Sequence, residues 1–282
     1  MTGPIATIVG GQGFIGQAVH RHLRALGWQC RVTDRATVWP VRDEPLGHVF
    51  YCAGLTADYL ARPADTAEAH VGLLSRVLQS DDYQSLVYLS STRVYDGMAA
   101  TGRVDETADF QLQPRHPRHL YDLTKLTGEA LCHAMGQGRA RIARLSCVYG
   151  AGPKSHGFLP DLVDRLTSLP EGGLLELDSS PHYTRDYVHL DDVVRALVDM
   201  AVRGRSPVYN VASGDNVSNA AIAEWVAETT GKRLSFRLTH APTPSPKIGI
   251  DRIASELGWR PQPLRSRLAS WLEERTRETA QH

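Results

Sequence analysis

Along the chain, short β-branched and aromatic runs alternate with longer stretches in which apolar positions recur at helical spacing. Ile5–Val9 is such a run and Ile15–Leu26 the amphipathic stretch after it. Cys30–Asp34 is the next run, His48–Ala53 precedes an amphipathic Asp65–Gln79, Ser85–Ser90 precedes Leu120–Met135, and Ala140–Leu145 closes the series. Strand and helix in repeated alternation predict a parallel sheet covered by helices on both faces. Val49–Ala53 and Leu86–Leu89 are apolar at nearly every position, the pattern of strands buried on both sides, so they are expected at the centre of the sheet.

After Gly150 the texture changes, with Gly, Pro and Ser clustered in Ala151–Gly157, Pro170–Gly173 and Ser179–Pro181. A second, smaller lobe is expected there. Tyr187–Val202 reads as a strand ending near His189, a cap at Asp191 and an amphipathic helix; Val208–Val211 reads as a further strand, and both can return to the first lobe. The expected architecture is α/β: a doubly wound parallel sheet of the Rossmann type from residues 1–150 plus 187–212, and a smaller mixed lobe from 151–186 plus 213–282.

Composition narrows the partners. With 42% hydrophobic and 22% charged residues the 282-residue chain is an ordinary globular one, which excludes disorder and fibrous folds. Thirty-one basic residues balance thirty-one acidic ones and no Lys/Arg run exceeds two, so no nucleic-acid partner is expected. Met1–Val9 has no basic segment leading into a long apolar run, and nowhere do about 18 apolar residues follow one another. No membrane association and a cytoplasmic location are therefore expected. Cys30, Cys52, Cys132 and Cys147 lie far apart without a CxxC and read as buried thiols, and the twelve histidines form no HExxH, so no metal is expected.

The chemistry begins at Gly10, Gly13 and Gly16, which follow the first strand and open the first helix. Gly10 permits the tight turn, Gly13 lets a pyrophosphate approach the N–H groups at the helix start, and Gly16 allows close packing of helix on strand, with Phe14 and Ile15 between them. Asp34, 18 residues after Gly16, ends the second strand where a carboxylate can accept hydrogen bonds from an adenosine ribose. That favours NAD, while Arg35 beside it can turn toward a 2′-phosphate and keeps NADP possible. Only 13 residues separate Asp34 from His48, room for a short strand, Val38–Val41, and for Asp43, which reads equally as an adenine contact or a surface turn carboxylate.

Tyr121 and Lys125 stand four apart and share one helix face. On its own such a pair is commonplace, but Ser91 sits in Ser90-Ser91-Thr92 at the C-terminal end of a buried strand, the edge at which ligands bind in doubly wound sheets. Ser91, Tyr121 and Lys125 together make a proton-transfer set: the ammonium favours the phenolate, the phenol exchanges a proton with a substrate oxygen, and the serine orients that oxygen.

With these motifs in order the sequence resembles the extended short-chain dehydrogenases/reductases that act on nucleotide sugars. The resemblance rests further on Tyr51-Cys52-Ala53-Gly54, Thr92-Arg93-Val94-Tyr95, Arg144–Gly150, Arg185–His189, Val208–Val211 and Leu257–Pro261, nearly the whole chain. It implies that Ser91, Tyr121 and Lys125 are catalytic and that Gly10, Gly13, Phe14, Ile15, Gly16, Asp34, Arg35, Asp43, Ala53, Gly54, Tyr121 and Lys125 line an NAD(P) site. It also implies that Thr92, Cys147 and Arg185 face a nucleotide-sugar substrate in the smaller lobe. Against the family pattern, Cys147 stands at a usual Asn, His70 at another, and Thr56 where some epimerases carry Lys. Thr92 and Arg93 occupy the positions where water-eliminating members carry acids, which disfavours a dehydratase. The expectation is a 4-epimerase working through a transient 4-keto sugar. The alternatives are an NAD(P)H-dependent reductase of a 4-keto sugar and a non-catalytic NAD(P) sensor. Asp65–Gln79 and Leu120–Met135, by the same resemblance, form a homodimer interface.

Overall fold

The computed structural model describes residues 3–33, 45–80, 82–152, 154–241 and 245–280. Six strands, Val208–Val211, Ala140–Leu145, Tyr83–Ser91, Gly47–Tyr51, Ile5–Val9 and Gln29–Thr33, lie side by side in that order, each neighbouring pair parallel. The two runs expected at the centre occupy interior places. From Ile5–Val9 the chain first moves out to Gln29–Thr33 and then crosses to Gly47–Tyr51 on the other side. The strand order therefore reverses at the first strand, and a crevice opens at the strands' C-terminal ends.

Alternate side chains of each strand enter different cores. Ile8, Phe50, Val87 and Ala143 point to one face, where they meet Val19 and Leu23 of the Phe14–Ala25 helix and Val193 and Leu197 of the Leu190–Arg203 helix. Val9, Tyr51, Leu86, Tyr88 and Ile142 point to the other, against Leu74, Val77 and Cys132. That face is covered by the Leu73–Gln79 and His119–Met135 helices. Helix 63–79 is not uniform, since Pro63–Ala67 and Leu73–Gln79 are joined by a π-turn at Glu68–Gly72, and the Tyr51 hydroxyl donates to the Ala69 carbonyl inside it. A turn with one extra residue re-aims the side chains it carries, and it carries His70.

Val208–Val211 returns to the main sheet beside Ala140–Leu145, whereas Thr184–His189 joins Cys147–Tyr149 and Asn216–Ser218 in a separate three-stranded sheet. The cap expected at Asp191 is supplied instead by His189, whose Nδ1 accepts the Asp191 N–H at 3.2 Å. Asp191 and Asp192 fall in the first turn, where negative charge suits the helix dipole. The smaller lobe packs Leu159, Leu162, Val163, Ile222, Val226 and Leu268 among the Phe158–Thr167, Asn219–Thr230 and Leu264–Ala280 helices. Ile253, Leu257 and Trp259 reach back into the core under the main sheet, and Trp259 Nε1 donates to the Asp192 carbonyl at 2.9 Å. Among the described residues no helix is long and apolar enough to cross a membrane. Val38–Val41, Asp34, Arg35 and Asp43 lie outside the described residues.

Candidate functional site

The glycine turn is built as the spacing requires. Gly10 has φ +78°, and a Cβ there would lie 2.7 Å from the Ala53 Cα, so the two strand ends touch backbone to backbone. A Cβ on Gly16 would stand 2.5 Å from the Gly10 carbonyl oxygen. Gly13 precedes the Phe14–Ala25 helix with extended geometry and no side-chain cap, and no acidic residue enters the first turn. Phe14 and Ile15 start that helix and lean on the core under the first strands. The result is a cradle at a positive helix end, with no side-chain cap over the helix start and no negative charge in the first turn, which fits the pyrophosphate of a dinucleotide.

Ser91, Tyr121 and Lys125 converge at the C-terminal edge of the sheet, all three buried. The Tyr121 hydroxyl faces the Ser91 and Thr56 side chains. Burial raises the Tyr121 phenol above its ordinary value; the Ser91 hydrogen bond and the Arg93 charge pull the other way. Lys125 Nζ donates to the Leu89 carbonyl at 2.8 Å and lies 5.8 Å from the Tyr121 ring centroid. Burial pushes its amine down to about 7, against the opposing pull of Glu129. Gly54 closes over this amine, since a Cβ there would lie 3.3 Å from Lys125 Nζ and 3.0 Å from His70 Nε2.

His70, fully buried, locks the Tyr121 helix in place. The Leu55 N–H donates to His70 Nε2 at 3.3 Å, so the ring proton resides on Nδ1, 2.8 Å from Thr124 Oγ1, whose own proton goes to the Tyr121 carbonyl at 2.9 Å. Burial, followed by the nearby Lys125 charge, drives the imidazole down to about 2, so it stays neutral.

Beneath the three residues lies a buried polar chain that the sequence reading did not find. Ser90 Oγ donates to Glu129 Oε1 at 2.5 Å, and Arg144 grips Glu129 with Nη2 at 2.6 Å and Nε at 3.0 Å. Arg144 Nη1 also donates to the Tyr95 hydroxyl at 2.6 Å, which in turn donates to Asn210 Oδ1 at 2.9 Å. The available signal was Glu129 four residues after Lys125 on the same helix face. Arg93 and Tyr59 against Tyr121 were also missed as contacts, and no periodicity links these segments.

Thr92 follows Ser91 at the start of the 3-10 turns Thr92–Thr101 and is half-buried. Of the four thiols expected to be buried only Cys132 is fully so: Cys30 and Cys52 are half-buried, and Cys147, which begins the Cys147–Tyr149 strand, is exposed, with Arg93, Asp96, Arg185 and Asp186 as charged neighbours. Arg185 does not turn to Asp186. Its guanidinium donates to Ser245 and lies 4.7 Å from the Tyr183 ring centroid. Asp186 accepts the Ser213 and Gly214 N–H groups at 2.7 and 2.8 Å. Among the described residues no group of three or more His, Cys, Asp or Glu is placed to hold a metal ion.

Residues 6–212 match the family model of the NAD dependent epimerase/dehydratase family. The chain is 27% identical over 248 residues, 81% of its own length and 75% of the relative's, to the dTDP-4-dehydro-6-deoxy-D-allose reductase of Streptomyces bikiniensis. In structure it is similar to RMD from Pseudomonas aeruginosa complexed with NADPH, with TM-score 0.75, 21% identity, and 98% and 99% of the two chains covered. It is likewise similar to the UDP-glucose 4-epimerase of Thermotoga maritima with UDP-glucose, with TM-score 0.78, 19% identity, and 99% and 100% covered. These two likenesses show the fold.

Proposed function

This chain belongs to the NAD dependent epimerase/dehydratase family, and from that premise we propose that it is an NAD(P)H-dependent reductase of a nucleotide-linked 4-keto deoxy sugar. The observation that carries the reductase over the epimerase expected from the sequence is the likeness to a 4-dehydro-6-deoxy sugar reductase across most of both chains. The epimerase would use the same three side chains, so the arrangement of Ser91, Tyr121 and Lys125 supports either. A dehydratase needs an acid beside Ser91 to protonate the departing hydroxide, and Thr92 and Arg93 hold those positions.

The glycine cradle would hold the pyrophosphate of a bound NAD(P)H, with Ala53 and Gly54 beside the turn. Asp34, by its place 18 residues after Gly16 in the sequence, would favour NAD(H). NAD(P)H supplies the hydride that the carbonyl carbon takes up. Tyr121 gives its proton to the carbonyl oxygen, which the Ser91 hydroxyl orients. Lys125 adds positive charge to the Tyr121 pocket whenever its amine is protonated, and Gly54, lacking a Cβ, leaves room beside that amine. Cys147 and Arg185 meet the sugar and the nucleotide phosphates. In this step one hydride and one proton turn one ketone into one alcohol.

The test supplies nucleotide-linked 4-keto-6-deoxyhexoses with NADH or NADPH. The expected result is stoichiometric loss of reduced nicotinamide absorbance and a single 4-hydroxyl epimer by NMR. Interconversion of 4-epimers with catalytic NAD and no net NAD(P)H consumption would return the reading to an epimerase.

A further inference from the structure

Immediately after the Ser91 strand the chain coils into 3-10 turns, Thr92–Thr101, capped by Ser91, whose Oγ accepts the Arg93 N–H at 3.2 Å. That cap fixes where the Arg93 side chain leaves the backbone. Its Cζ lies 4.7 Å from the Tyr121 ring centroid and 5.4 Å from that of Tyr59. Nη2 donates to the Tyr59 hydroxyl at 3.5 Å, and the two tyrosine rings are themselves 5.4 Å apart. A half-buried guanidinium is thus laid on the very phenol that stands in the proton-transfer set, with a second aromatic ring holding it there.

The titratable and charged groups facing Tyr121 come from five directions, the first being Tyr88 of the Tyr83–Ser91 strand, a neutral phenol that burial raises well above its ordinary value. Its own helix brings Asp122 and Lys125, the π-turn brings His70, the loop before helix 63–79 brings Tyr59, and the 3-10 segment brings Arg93. His70 is held neutral by burial. Burial raises the Asp122 carboxyl, with the Arg93 and Arg118 charges opposing, and its Oδ1 has no hydrogen-bond partner. The Lys125 amine is spent on the Leu89 carbonyl and loses its charge near neutrality. Arginine, by contrast, keeps its proton at every working pH.

Resting on the reductase reading above, we propose that Arg93 is a positioning residue for Tyr121. Its guanidinium, clamped by Tyr59 over the phenol ring, is the standing positive charge that favours the phenolate left behind when the Tyr121 proton departs. The O–H bond of Tyr121 breaks and its proton goes to the carbonyl oxygen as the carbonyl carbon takes hydride from NAD(P)H; the phenolate then regains a proton from solvent. A cation over an aromatic face is already attracted to the ring, and negative charge on the ring oxygen deepens that attraction. Because the charge does not titrate, Tyr121 keeps a cation beside it when Lys125 is neutral. Thr92 and Arg93, where an acid would serve elimination, thus leave a site built for proton donation to a ketone.

The test reads the phenol itself, in the free protein, so that it does not depend on which sugar is reduced. 3,5-Difluorotyrosine placed at position 121 brings the phenol titration toward neutral pH, and 19F NMR follows it. Arg93→Met is expected to raise the midpoint by about one pH unit, a tenfold smaller phenolate fraction at a given pH, and Arg93→Lys by less, because an ammonium keeps the charge but not the planar stack. Arg93→Gln gives the same reading should the methionine variant fold poorly by far-UV circular dichroism. In turnover, with natural Tyr121, Arg93→Met should lower kcat about tenfold while KM for the sugar stays within about twofold. An unmoved midpoint in a folded variant overturns the proposal, as does a KM rise with kcat unchanged, which would make Arg93 a substrate contact. If no 4-keto sugar is reduced but the midpoint moves, the reductase reading falls and the Arg93–Tyr121 coupling stands.

Discussion

At the scale of single residues, the site is decided by what burial does to three side chains. Tyr121→Phe keeps the ring that packs against Tyr59 and His70 and removes only the hydroxyl. Turnover should fall by about two orders of magnitude or more, the size of a general acid contribution, with NAD(P)H affinity unchanged by fluorescence titration. Lys125 offers a pH test. Its amine is depressed to about 7 in the folded chain, while a free lysine stays protonated to about 10.4, so between those values the unfolded chain binds more protons. Stability contributed at this position therefore climbs as pH rises from about 7 toward 10 and is lowest below 7. In Lys125→Met that climb should be missing when Tm is compared between pH 6.5 and 9.5; an equal slope in both proteins would contradict the burial argument. The Ser91, Tyr121 and Lys125 set was legible because a helical spacing of four and a strand end are both written locally. The clamp of Arg93 between Tyr59 and Tyr121 was not, because it joins a loop, a 3-10 segment and a helix through contacts 28 to 62 residues apart in sequence.

At the scale of elements, strands and helices were found within about two residues where burial writes a period, as in Ala140–Leu145 and His119–Met135. Sequence missed features whose cause lies in another element. The π-turn at Glu68–Gly72 contains a carbonyl bonded by Tyr51 from a neighbouring strand, and the His189 cap uses a residue type outside the usual Ser, Thr, Asp and Asn set. The same holds for the ion pair that ties the Tyr121 helix to the sheet. Glu129 and Arg144 are each about 5% exposed, and the pair is completed by Ser90 and Tyr95, so both charges depend on their partners. Glu129→Gln leaves the Arg144 guanidinium uncompensated in the interior and should cost roughly 3–5 kcal/mol in urea unfolding. A loss below about 1 kcal/mol would mean that water enters the site and that the pair is not holding helix to strand.

At the scale of the whole molecule, one side of the sheet is sealed by Phe14–Ala25 and Leu190–Arg203, while the other is covered by helix 63–79 and His119–Met135. The inner faces of the latter two helices are fully used in the core. Their outer faces present Ala67, Thr127, Ala130 and Ala134, all exposed and all short enough to let a second pair of helices approach closely. The surface runs along a 17-residue helix, about 25 Å long, and so offers two-fold packing a contact of useful length. The homodimer that the family resemblance implies would pair two copies of the chain there as a four-helix layer, with Tyr121 on the helix that forms the contact. Sedimentation at micromolar concentration should give twice the 31.1 kDa chain mass. Ala130→Arg, which places a long charged side chain on that face without touching the buried one, should return the mass to a single chain while leaving circular dichroism unchanged. A single-chain mass for the unmodified protein would reject the interface, and a dimer undisturbed by Ala130→Arg would move it to another face of the fold.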